Sequence, residues 1–122
     1  MTQQASYGDG MWDGRKVRDW IPEVVDDVVA AFDPVQVIVF GSVARGEERP
    51  QSDLDLLVLF DEVATEDRRS LMGKIRAAIS APIPIDVLVA SVAEYEALKD
   101  VNGSPYHWPA REGRVAHERP PV

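Results

Sequence analysis

Three apolar runs of strand length punctuate this chain, VQVIVF from 35 to 40, LDLLVLF from 54 to 60 and IDVLVA from 85 to 90, and the last two each carry an aspartate at their second position. Runs this short and this rich in Val, Ile and Leu build strands that are covered on at least one face. Helical patterns lie around them. Pro22 precedes EVVDDVVAAF, in which Val24, Val25, Val28, Val29 and Phe32 recur at helical spacing, so a first helix runs to about Phe32. Thr65 reads as an N-cap with Glu66 and Asp67 in the first turn, and Leu71, Met72, Ile75, Ala78 and Ile79 form an apolar stripe that Pro82 and Pro84 end. Ser91 is placed to cap a further short helix, VAEYEALKD. In the proline-rich tail, PYHWPAREGRVAHE reads as a short helix plus an extended segment, anchored by Tyr106 and Trp108. The order predicts a small α/β (α+β) domain with a mixed sheet of three or four strands, helices on one face and the other face open.

A chain of 122 residues has the length of one compact domain. Residues 1–16, rich in Gly, Gln, Asp and Ser, read as a mobile or loosely docked arm with Trp12 as its anchor, and 17–122 as a single domain. The composition, 45% hydrophobic and 28% charged, is that of a globular protein, without an apolar run of membrane-spanning length. The N-terminus contains no apolar segment of the secretory kind, so the cytoplasm is the expected location. No cysteine is present, which excludes disulfides, thiolate metal sites and a cysteine nucleophile. Twenty-one acidic residues against 13 basic ones leave a formal charge of −8, which repels the backbone of a long nucleic acid. A nucleotide whose phosphates arrive paired with a divalent cation is not subject to that repulsion. His107 and His117 read as surface or partner-contact residues, and Arg68 and Arg69 as a solvated face.

The chemistry concentrates between the first two runs. Asp53 and Asp55 are two apart at the start of a strand, which places both carboxylates on one face, and two such charges side by side favour a divalent cation between them. Asp86 stands inside the third run among Ile85, Val87 and Leu88, where a buried acid needs a reason. If the second and third strands are neighbours, it joins the pair, and three acids around two Mg2+ ions about 3.5–4 Å apart make the clamp of two-metal phosphoryl or nucleotidyl transfer. Gly41 ends the first strand and permits a close backbone approach to a ligand, while Ser42 opens a helical turn with a hydroxyl and free N–H groups. Arg45 can pair with phosphate, brace an acid of the site or form a structural ion pair, and Gly46 permits the exit turn.

The pattern Gly41-Ser42, ten residues, then Asp53-x-Asp55, with Ala44-Arg45-Gly46 and Ser52 inside the gap and Asp86 on a later strand, resembles the DNA polymerase β-type nucleotidyltransferase superfamily. More closely, it resembles the minimal nucleotidyltransferases of prokaryotes, and the Arg-Glu-Gly-Arg-Val-x-x-Glu segment at 111–118 resembles the ending of small members of that group. The resemblance implies a nucleotidyltransferase fold, ATP as substrate and Mg2+ as cofactor. It implies that Gly41 and Ser42 contact the ATP phosphates and that Asp53 and Asp55 ligate Mg2+. Asp86 would complete the metal site and activate the acceptor hydroxyl, with supporting roles for Arg45 and Ser52. It further implies an antitoxin that transfers AMP to a tyrosine of a helical HEPN-type RNase toxin. Two alternatives stand beside this reading. One is a non-catalytic module that masks a helical partner. The other is nucleotidyl transfer to a small molecule such as an aminoglycoside, for which the 32 residues after the third strand are few.

Overall fold

A computed structural model describes residues 12–49 and 52–120. Helix α1 (Ile21–Phe32) has Pro22 in its first turn, buries Val24, Val25 and Val28, and ends at Asp33, whose left-handed backbone returns its N–H to the Val29 carbonyl at 2.9 Å. Strand β1 (Gln36–Phe40) follows at once, and helix α2 (Gly41–Arg45) leaves its end without a loop. Strand β2 (Leu54–Phe60) pairs antiparallel with β1, and β3 (Ile85–Ser91) pairs parallel with β2. Helix α3 (Arg68–Ala78) is the crossover that a parallel pair requires. The apolar stripe ends with α3, since Ile79 is already extended. Thr65 does not cap it; Thr65–Asp67 forms a 3-10 turn that leads into the helix. Ser91 does cap α4 (Val92–Leu98), accepting the Glu94 N–H at 3.1 Å.

The tail forms helix α5 (His107–Glu112) and a fourth strand, β4 (Arg114–Glu118), which joins β1 antiparallel. The result is a four-stranded mixed sheet in the order β3-β2-β1-β4. Alternation divides its side chains between two faces. Val37, Val39, Leu56, Val58, Val87 and Val89 meet α1 and α3 on one face. Ile38, Leu57, Leu59 and Ala90 point to the other, where Tyr95 of α4 and Tyr106 just ahead of α5 bury them.

Helices on one face only was therefore the wrong expectation. A β2 carrying Leu57 and Leu59 cannot leave its second face to water, and the short α4 and α5 supply the cover. The cover is tied down by Arg68, whose guanidinium is partly buried rather than part of a solvated face. It grips the Glu94 carboxylate with two bonds of 2.8 and 2.9 Å and donates to the Tyr106 hydroxyl at 3.0 Å and the Val89 carbonyl at 3.4 Å. One side chain thus joins α3, β3, α4 and the turn before α5. Tyr106 anchors the tail as expected, but Trp108 does not: it is 58% exposed. Of the expected arm, residues 1–11 lie outside the described residues, while Trp12 is packed into the core at 8% exposure and bridges to Arg15. No helix among the described residues is long and apolar enough to cross a membrane.

A partly buried, charge-assisted pair of this kind carries more than an exposed one. Arg68→Ala and Glu94→Ala should each lower unfolding free energy by roughly 1–3 kcal/mol, with the double variant losing less than the sum. Urea denaturation of the three variants checks this, and strict additivity would show the pair to be idle.

Candidate active site

The register brings the chemistry to one end of the sheet. Phe40, the last residue of β1, stands opposite Asp55, and Asp55 stands beside Asp86 across the parallel pair. Asp53 lies one residue ahead of β2, where Leu54 enters the sheet by donating to the Pro84 carbonyl at 2.9 Å. The end of one strand and the starts of two others therefore gather the Gly-Ser turn and all three aspartates.

Gly41 is required twice over. Its φ of 76° is in the left-handed region, and a Cβ there would run into the Asp55 carboxylate, with Cγ only 3.1 Å away. The Asp55 carboxyl group thus occupies the space that any side chain at position 41 would take. Ser42 follows, half-buried, and Val43 and Ala44 anchor α2 in the core. Gly46, at φ 73°, closes that helix through N–H bonds to the Ser42 and Val43 carbonyls. Ser52 accepts the Arg49 N–H on its hydroxyl at 2.7 Å, so it shapes the loop that delivers Asp53. Arg45 spans two elements, donating to Glu47 at 2.8 Å and to Glu112 of α5 at 3.1 Å. The structural ion pair expected of it is thus formed, and its charge also reaches Asp55.

Asp86 departs from expectation. It is not a buried acid, since its side chain is 64% exposed and Arg76 of α3 approaches it to 4.0 Å. β3 is a sheet edge and Asp86 lies at its start, so water reaches the side chain. Asp53 is exposed as well, whereas Asp55 is half-buried. Burial pushes the Asp55 carboxyl up to about 6; the charges of Asp86 and then Asp53 add to this, and Arg45 opposes it weakly. Among the described residues no three His, Cys, Asp or Glu side chains are drawn onto a single point as a closed metal cage. The donor set nonetheless suits a hard divalent cation, with carboxylate oxygens gathered on one end of one sheet and the charges of Asp86 and Asp53 adding to the burial of Asp55.

Sequence reasoning missed the flanks of this centre. Phe40, Gly41, Arg45, Trp108 and Glu112 line an open cleft of about 380 Å3 on one side. Asp53 and Arg76, with Ile79, Ile83 and Ile85, line another of about 420 Å3 on the other. The four-residue spacing of Trp108 and Glu112 was the signal for a shared helix face, but nothing in the sequence placed that face against Gly41.

Comparison with known proteins bears on the family and the fold. A family model described as a nucleotidyltransferase domain matches residues 21–110. A crystal structure of a Sulfolobus solfataricus protein assigned as a nucleotidyltransferase superposes with a TM-score of 0.56 at 23% identity, over 84% of this chain and 80% of that one, a likeness of fold. A toxin–antitoxin structure with AMP-PNP gives 0.49 at 18% identity, over 79% of this chain and 72% of that one. A mutant of the MntA-HpeT toxin–antitoxin gives 0.46 at 18%, over 78% and 70%. With TM-scores below 0.5, these last two likenesses do not by themselves establish a shared fold. No curated protein matches the chain.

The Asp55 shift has a definite sign. Between its ordinary value of 3.8 and about 6 the folded state holds more protons than the unfolded chain, so stability falls as pH rises through that window and stays lowered above it. In chelator at neutral pH, Asp55→Asn should raise unfolding free energy by on the order of 1 kcal/mol, discounted for partial exposure. The gain should vanish near pH 3.8, where the wild-type carboxyl is itself protonated in the fold. Thermal melts across this range test it, and a destabilised variant at neutral pH would contradict it.

Proposed function

The chain belongs to the nucleotidyltransferase domain family, and from that premise we propose that it is an Mg2+-dependent transferase that moves AMP from ATP onto a tyrosine hydroxyl of a helical HEPN-type toxin and so acts as its antitoxin. The observation that carries the transfer reading is the convergence of Gly41, Asp53, Asp55 and Asp86 on one end of the sheet, in the register Phe40–Asp55–Asp86. The finer reading of acceptor and partner is supported by the motif set Gly41-Ser42, Asp53-x-Asp55, Asp86 and the segment at 111–118, which resembles that of minimal nucleotidyltransferases.

In this reading Gly41 and Ser42 receive the phosphates, because Gly41 alone lets backbone lie against Asp55 with nothing projecting between them. Asp53, Asp55 and Asp86 would hold Mg2+, which when bound neutralises the triphosphate and lowers the pKa of the attacking hydroxyl. The acceptor oxygen bonds to the α-phosphorus, the bond from that phosphorus to the bridging oxygen breaks, and pyrophosphate leaves. The hydroxyl proton passes to the Asp86 carboxylate, whose exposure gives an incoming side chain access to it. Arg45 acts at one remove, holding α2 to α5 through Glu112.

The acceptor comes from outside the described residues. α4 and α5 are occupied in covering the second sheet face, and β4 in extending the sheet. An open acidic site on a protein of charge −8 favours a partner that presents its tyrosine among basic side chains.

The test is the intact mass of the helical partner after incubation with this protein, ATP and Mg2+. Whole AMP units should appear with the wild type and not with Asp53→Asn, Asp55→Asn. Neutralisation of the partner by the double variant, with no mass gained by either form, would replace catalysis with simple masking. Mass gained instead by a small-molecule acceptor such as an aminoglycoside would replace the partner.

A further inference from the structure

We propose that Trp108 is the platform on which the base of the bound nucleoside triphosphate stacks, an inference that rests on the nucleotidyltransferase reading above and adds the residue that holds the base. Trp108 is 58% exposed, whereas Trp12 is buried and Trp20 half-buried.

The helix that carries it is not loose. Pro109, its immediate neighbour, is buried, and Ala110 packs against the second core. Gly113 closes on the sheet so tightly that a Cβ there would lie 2.6 Å from the Ile38 Cγ2 atom. The Arg45–Glu112 pair, at 3.1 Å, ties the same helix to α2. The His107 ring meets the indole edge-on, with centroids 5.1 Å apart and planes at 80°. A rigid element therefore holds an indole outward, which is the pre-organised form of a stacking surface.

Its position selects the occupant. Trp108 and Glu112 are four residues apart and share one helix face, and with Phe40, Gly41 and Arg45 they line the cleft of about 380 Å3. That volume falls within the range of small-molecule sites. Gly41 belongs both to this cleft and to the contact with Asp55, so the cleft opens directly onto the sheet end where the phosphates are proposed to lie. One molecule with phosphates at one end and a flat aromatic ring at the other matches that continuity. The Glu112 carboxylate, at the same cleft, can accept from the exocyclic amino group of a base such as adenine.

The experiment compares two probes on the intact protein, MgATP and Mg-tripolyphosphate, the second having the phosphates without the base. Trp108→Ala should weaken MgATP about tenfold or more, the scale of one base–aromatic stack, and leave tripolyphosphate unchanged. Trp108→Phe should recover most of the affinity. In the wild type, MgATP should quench tryptophan fluorescence and tripolyphosphate should not. Undiminished MgATP binding by Trp108→Ala, or an equal loss for both probes, overturns the proposal. So does a loss of partner binding with MgATP affinity intact, which would assign the indole to a protein interface. A wild type that binds neither probe defeats the nucleotidyltransferase reading, and this inference with it.

Discussion

The site depends on one contact: the Asp55 carboxyl group fills the space beside Gly41 that a side chain would otherwise take. The antiparallel register of β1 and β2 makes the contact unavoidable, because it sets Phe40 opposite Asp55 and sends the chain into α2 at the next residue. An acid half-buried in this way is costly in a protein whose net charge is already −8. Its neighbours Asp86 and Asp53 raise the cost, and its proton affinity rises accordingly. Charge crowded at the end of a sheet, opposed weakly by Arg45 at Asp55 and by Arg76 at the exposed Asp86, is the condition that a cation-bearing ligand relieves.

The rest of the fold keeps that end of the sheet rigid. Leu54 and Leu56, completely buried, fix the alternation of β2 so that Asp55 falls on the opposite face from α1 and α3. That second face needs α4 and α5 to shield Leu57 and Leu59, and the Arg68–Glu94–Tyr106 network keeps them there. α5 in turn brings Glu112 to Arg45 and Trp108 to the rim of the Gly41 cleft. The cover that closes the core thus also builds one wall of the site.

The strands and the Gly-Ser and aspartate positions were legible because local pattern governs them: β-branched runs, period two, and a glycine at a strand end. The meeting of Asp86 with Asp55 was legible only on the condition that β2 and β3 are neighbours, which the structure satisfies. What could not be read was set by distant packing. Arg68 looks like one of two exposed cations until α4 places Glu94 against it. Asp86 looks buried until β3 proves to be an edge. Trp108 looks like an anchor because indoles usually are, and only the seating of Pro109 and Gly113 turns it outward. The short extended segment after Gly113 gains its identity as a strand solely by pairing with β1.

The central claim is that the crowded aspartates form a cation-dependent triphosphate site, and calorimetric titration with ATP, with and without Mg2+, tests it most directly. The account predicts binding by the wild type that needs Mg2+ and is lost in Asp53→Asn, Asp55→Asn. Equal binding in chelator, or a double variant that binds MgATP as the wild type does, would contradict it.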